Sequence, residues 1–175
     1  VKHPKIGTAR EVLSLFSKNP AVGQIDKSLK DAEIWRHINV FIGHGRDPYW
    51  RDLKDHLVDK HDLRVTAYET GARAGLTISD ILKDMVSAAD FAILVFSAEN
   101  SHADGSLHAR ENVIHEAGLF QGKLGFRRAI VLVEEGCQLF TNISGIQYIG
   151  YSKGNIKEAF GDILAAIRRE FLKKN

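Results

Sequence analysis

Phe91-Ala92-Ile93-Leu94-Val95-Phe96 is a run of six apolar residues bounded by Asp90 and Ser97. A strand with one face in water alternates apolar and polar side chains. A run without alternation therefore belongs to a strand covered on both faces, as in parallel sheets sandwiched by helices. Working outward, four more short runs rich in β-branched and aliphatic residues occur: Ile38-Ile42, Leu63-Ala67, Ala129-Val133 and Ile146-Ile149. Helical patterns separate most of them. Asp47-Pro48 suits a first helical turn with an aspartate cap, and Thr77-Ile78-Ser79-Asp80 reads as a capping box. Ile156, Phe160, Ile163, Leu164, Ile167 and Phe171 recur at helical spacing and predict a long closing helix. The expected fold is α/β: a five-stranded parallel sheet with helices on both faces, in a flavodoxin-like strand order. Ligands of such sheets bind beyond the carboxyl ends of the strands, near the point where the strand order reverses.

The 24 basic and 22 acidic residues are interspersed, so no basic face points to nucleic acid or lipid. Cys137 is the only cysteine, which excludes an internal disulfide and a cysteine-built metal site and makes a reducing compartment, the cytoplasm, the expectation. The apolar runs are too short to span a bilayer. Ahead of the sheet, Thr8-Ala9-Arg10-Glu11 resembles a capping box opening a short amphipathic helix that ends near Pro20. The polar stretch from Ala21 to Lys30 has no clear period and reads as a linker. This places a helix and linker at 1–33 and one globular domain at 34–175.

After the first strand comes Gly43-His44-Gly45-Arg46-Asp47-Pro48. Two glycines let backbone amides approach a ligand, and a helix N-terminus favours anions, which suits a phosphate or ribose. The third glycine of a dinucleotide fingerprint is missing, and a plain tight turn is an equally open reading. Gly122-Lys123 lacks the following hydroxyl residue of a phosphate-binding P-loop. The third strand ends in Phe96-Ser97-Ala98 instead of an acceptor aspartate, which counts against a phosphoryl receiver. Eight histidines stand singly, none in a metal-ligating spacing, so no metal site is expected.

Arg110 to Gly125 predicts one helix. Val113, Ala117, Phe120 and Leu124 form a narrow stripe for the sheet, with Glu116 on its flank and Asn112 and Lys123 on the same side. Gly118 and Gly122 each cost roughly 1 kcal/mol against alanine in a helix, which predicts close packing of another segment there. Arg110 projects from the other flank and is read as a structural ion-pair partner; the role of Lys123 stays open.

Written as Arg-x-Asn-Val-x-x-Glu-x-Gly-x-Phe-x-Gly-Lys-Leu-Gly, this helix resembles the TIR-like "predicted nucleotide-binding" family of bacterial anti-phage effectors. The likeness extends to Val40-Arg46, Gly75-Ile78, Phe91-Val95 and Asn142-Ile146, and covers roughly residues 38 to 172. It departs from the family at Ser97-Ala98-Glu99-Asn100, which replaces a Thr-x-Asp-Asp-like run. The resemblance implies a TIR fold, NAD⁺ as substrate with no separate cofactor, and Glu116 as the residue required to cleave the nicotinamide-ribose bond. Gly43, His44, Gly45 and Arg46 become candidates for the phosphate and adenosine side, and Ser97 and Asn112 for the ribose. The segment from Tyr68 to Leu76, containing Gly71, Arg73 and Gly75, corresponds to the one that covers the site and touches neighbouring subunits. Activation by self-association and a fused cyclic-nucleotide-sensing domain are the partners implied. A non-catalytic TIR adapter and a nucleoside or nucleotide N-glycosidase on the same fold are the alternatives.

Overall fold

The structure is a computed structural model that describes residues 20–68, 77–139 and 146–172. Helix α1 (Pro20–His37) leads into strand β1 (Asn39–Gly43), helix α2 (Trp50–His61) and strand β2 (Arg64–Ala67). Helix α3 (Ile78–Ala88) and strand β3 (Phe91–Phe96) follow, then the short strands β4 (Asn100–Ser101) and β5 (Leu107–His108). Next are helix α4 (Glu111–Leu124), strand β6 (Ala129–Glu134), the short strand β7 (Cys137–Gln138) and strand β8 (Ile149–Tyr151). A 3-10 turn at Ile156–Ala159 runs into helix α5 (Phe160–Phe171).

Five strands form one parallel sheet in the order β2-β1-β3-β6-β8, the flavodoxin-like order expected. Every residue of β3 is buried, and the side chains divide between two cores. Phe91, Ile93 and Val95 join Leu53, Leu57, Ile163 and Ile167 on the face covered by α2 and α5. Ala92, Leu94 and Phe96 join Ile81, Met85, Val113 and Phe120 under α3 and α4. The unbroken apolar run is thus two half-strands of alternating residues, each facing its own layer. Thr77 caps α3 by accepting the Asp80 N–H at 3.1 Å, while its hydroxyl donates to the Asp80 carboxylate at 2.6 Å.

Several elements differ from the sequence expectation. The stretch from Ala21 to Lys30, read as a linker, is helical and belongs to α1. Lys27, Ser28, Leu29 and Lys30 are all exposed, so these four successive positions show no buried face to announce a helix. Its last turn supplies the anchor, where the Trp35 indole N–H donates to the His61 carbonyl and the ring lies under Arg168. The expected helix over residues 8–20 falls outside the described residues. The last strand starts at Ile149 rather than Ile146, because pairing of Leu132, Val133 and Glu134 with Ile149, Gly150 and Tyr151 sets its register. A second, three-stranded sheet in the order β4-β5-β7 is unforeseen, since strands of two residues carry no period. The helix expected to start at Pro48 under an aspartate cap begins at Trp50 instead, with Tyr49 as its N-cap residue and no side-chain cap, because Asp47 is engaged in the turn ahead of it, accepting the Tyr49 N–H at 2.9 Å.

The packing expected around Gly118 and Gly122 is not found among the described residues: outside the helix's own backbone, no described atom lies within 4 Å of a Cβ added at either position. Both glycines are exposed on the solvent side of α4, where their cost is conformational. Gly118→Ala and Gly122→Ala should therefore each stabilise the domain by about 0.5–1 kcal/mol. Thermal unfolding should rise by about 2–4 °C per kcal/mol for a domain of this size. A fall in melting temperature would mean that another segment does pack there.

Candidate functional site

Glu116 is carried on the face of α4 that meets the sheet. Phe120, one helical turn later, stacks on Phe41 of β1 with ring centroids 4.1 Å apart and planes 15° from parallel. Four residues of helix rise about 6 Å, close to the rise of two strand residues. The Phe41–Phe120 contact therefore brings Glu116 level with Gly43, at the carboxyl end of β1 and next to the β1–β3 boundary where the strand order reverses. A Cβ on Gly43 would lie 2.6 Å from Oε2 of Glu116 and 2.7 Å from Cδ1 of Leu94, so the carboxylate fills the space that glycine leaves open.

Glu116 is only 9% exposed, and its Oε2 has no hydrogen-bond partner among the described residues. Burial raises its pKa to about 7. A buried carboxylate without a cation or donor is expensive, and titration at neutral pH reflects that cost.

The turn beyond Gly43 is fixed by other carboxylates. Glu99, on the loop after β3, accepts the Arg46 N–H at 2.8 Å and the Asp47 N–H at 3.2 Å. Its head lies against Gly45, where an added Cβ would collide with both carboxylate oxygens. The Arg46 side chain is exposed. His44 stacks on Trp50 at 3.8 Å, and its Nδ1 sits 2.8 Å from the Gly45 carbonyl, which can only accept, so that nitrogen carries the proton. Burial, followed by the charges of Glu134 and Glu99, raises the pKa of Asp47.

Glu134 ends β6, is 4% exposed and binds two loops at once. It accepts the Ala98 N–H at 2.9 Å and the Gly154 N–H at 3.0 Å. Ser97 is buried beside it, with its side chain hydrogen-bonded to Tyr151, and its carbonyl accepts the Cys137 thiol at 3.8 Å. Burial pushes that thiol up to about 11, so it is no nucleophile at neutral pH.

The structure thus brings Gly43 to Glu116, and places Gly45 and the Arg46 amide in the adjoining turn. Asn112 and Lys123, which share the Glu116 flank by helical angle, are exposed, and no side-chain hydrogen bond or ion pair joins either to Glu116 among the described residues. Arg110 is the N-cap residue of α4 and makes no ion pair among the described residues. The segment 69–76 lies outside the described residues. A groove of about 1320 Å³ lies between β8 and α5, lined by Phe126, Tyr148, Arg168 and Arg169 among others, and Glu116 is not among its lining residues. Among the described residues no three His, Cys, Asp or Glu side chains are grouped to hold a metal.

The family model described as "CAP12/Pycsar effector protein, TIR domain" matches residues 39–153, well over half of the chain. The chain belongs to the CAP12/Pycsar effector TIR-domain family. Among curated relatives of this TIR domain, the Pycsar effector protein BcPycTIR of Burkholderia cepacia is 30% identical over 112 residues, covering 57% of this chain and 35% of that protein. CD-NTase-associated protein 12 of Lachnospiraceae bacterium (strain RUG226) is 34% identical over 98 residues, 51% of this chain and 31% of that protein. The matched part is about a third of each relative. Among solved structures, the TIR domains of the activated Roq1 resistosome directly recognizing the pathogen effector XopQ align at 14% identity with a TM-score of 0.42, over 76% of this chain and 74% of that one.

Sequence reasoning missed Glu99, Glu134, Trp50 and Tyr151 in this TIR domain. A charge that directly closes an apolar strand, as Glu134 closes Ala129–Val133, was the available signal: it sits at a carboxyl end, where ligands and loop clamps collect. Glu99 lies in the run that departs from the family pattern.

The raised pKa of Glu116 has a sign for stability. The folded state holds the proton more tightly than the unfolded chain, whose carboxyl titrates near 4.5. That stabilisation is complete below about 4.5 and is lost as pH rises through about 7. Glu116→Gln removes the ionisation, so the variant should match the parent near pH 4 and exceed its stability at pH 8 by about 3 kcal/mol. Denaturant unfolding at both pH values measures the difference. An equal offset at the two pH values would mean that the carboxylate has a partner in solution.

Proposed function

We propose that this TIR domain is the catalytic unit of an NAD⁺ glycohydrolase that serves as an anti-phage effector in the cytoplasm and completes its active site by self-association. The observation that carries the reading is Glu116: a buried carboxylate with an unpartnered oxygen, a pKa near 7, and a place at the β1–β3 switch point. Such a group is complementary to a cation. The nicotinamide riboside half of NAD⁺ carries one, and its arrival would draw Glu116 into the ionised form.

The chemistry suits a single carboxylate. As the bond between ribose C1′ and the pyridinium nitrogen breaks, its electron pair goes to that nitrogen, and nicotinamide leaves neutral without a general acid. Positive charge builds on C1′ and the ring oxygen, where the Glu116 carboxylate stabilises it, as carboxylates do in glycosidases. Water then adds to C1′, giving ADP-ribose and releasing one proton. The Gly43 clearance holds Glu116 beside the sugar, and the Gly45–Asp47 turn is the candidate for the phosphate side. The curated relatives are about three times the length of the matched part, which leaves room for the cyclic-nucleotide-sensing partner that the sequence resemblance implies.

The test is chromatography of NAD⁺ and of nucleoside monophosphates incubated with the purified chain over a range of protein concentrations. Glu116→Gln should cut NAD⁺ cleavage by about a hundredfold or more, since charge stabilisation of this kind is worth about 3 kcal/mol. Glu111→Gln is the control on the same helix; that carboxylate is exposed, accepts from the Asn100 amide at 2.9 Å, and should be dispensable. Gly43→Ala should fall with Glu116→Gln, because its methyl displaces the carboxylate. Specific activity should climb with protein concentration. No cleavage of any compound would support a non-catalytic adapter, and release of base from the monophosphates alone would support an N-glycosidase.

A further inference from the structure

The amides expected to receive an anionic ligand are already occupied by a side chain of the same molecule. Glu99 lays its two carboxylate oxygens on the Arg46 and Asp47 N–H groups, at 2.8 and 3.2 Å, across the bare face of Gly45. Those donors stand just ahead of α2, where the helix dipole favours negative charge. A methyl group at Gly45 would fill the cradle, its carbon only 2.0 Å from Oε1 of Glu99 and 2.8 Å from Oε2. Two residues back in the same turn, Gly43 faces the nine-tenths buried, unpartnered Oε2 of Glu116. One turn therefore serves two carboxylates of opposite condition. Glu116 is held without a partner and awaits one. Glu99 is fully engaged by amides that a ligand would need.

We infer that Glu99 is an internal competitor for the subsite of the substrate's diphosphate, so that this conformation is self-occluded and opens when the Glu99 side chain swings out. The inference rests on the nucleotide reading of the site and adds how access to it is controlled. Phosphate and carboxylate oxygens ask the same of a pair of backbone amides, and only one can hold them. The Glu99 backbone need not move for the exchange. Its own N–H is shared between the Ser97 and His108 carbonyls, at 2.9 and 3.2 Å, so the loop stays tied to β3 and β5 while the side chain turns. Glu99 is half-buried, which gives the released carboxylate a short path to water. With Glu99 in place the turn offers a diphosphate a negative charge; with Glu99 out it offers two donors.

The experiment is equilibrium binding of ADP and of inorganic pyrophosphate to the 175-residue chain and to its Glu99→Gln and Glu99→Ala variants, by titration calorimetry. The ¹H–¹⁵N resonances of Arg46 and Asp47 are followed in parallel. Both variants should bind both probes about tenfold or more tightly, the gain that removal of one charged competitor brings. The two amide resonances should shift on ADP addition in every form, and in the variants should already be displaced without ligand. Unchanged or weaker binding by variants that melt like the parent would overturn the inference and make Glu99 a brace for the turn. So would amide resonances that ADP leaves unmoved. No turnover enters this measurement, so tighter binding together with a Glu116→Gln protein that still cleaves NAD⁺ would sink the proposed mechanism and leave the occlusion standing.

Discussion

The stacking of Phe120 on Phe41 sets the register between α4 and the sheet, and the site inherits its geometry from that contact. Both rings are fully buried, so the helix cannot slide without exposing one of them. A one-turn shift along α4 corresponds to two residues along β1, so locking the phenylalanines also locks the next pair outward, Glu116 and Gly43. The carboxylate is not free to seek water. It is held beside a glycine because a ring one turn away is held beside another ring.

Three glutamates at the carboxyl edge of the sheet differ only in what surrounds them. Glu134 is almost fully buried, yet two backbone amides from separate loops satisfy it, and it joins the ends of β3 and β8. Glu99 has two amides as well, and ties the loop after β3 to the turn after β1. Glu116 has burial without a donor for Oε2, and its pKa rises accordingly. The first two brace loops. The third is a destabilising group at the carboxyl ends of the strands, and the proposed function gives that cost a use.

Several other polar groups are satisfied by ordinary local means. Thr77 and Asp47 cap local turns, and Asp90 takes the first amide of β1, from Asn39, at 2.9 Å. Glu170 draws together Arg127 and Arg169, at 3.0 and 2.8 Å, on the side of the sheet away from Glu116. Among the described residues no helix is long and apolar enough to cross a membrane.

The sequence by itself determined the layers, the parallel sheet, the helix bearing Glu116 and the family. These are written in local periodicity and in a motif, and a strand buried on both faces has few other ways to be spelled than Phe91-Ala92-Ile93-Leu94-Val95-Phe96. Tertiary structure alone decided which side chains meet. Glu99 and Arg46 lie far apart along the chain, and nothing in the composition of either loop announces that a carboxylate will cover those amides. The glycines show the same division. Gly43, Gly45, Gly118 and Gly122 look alike as letters, but the first two face carboxylates and the last two face none of the described side chains. Periodicity places a residue on a face; what the neighbouring element brings to that face depends on packing across the whole fold.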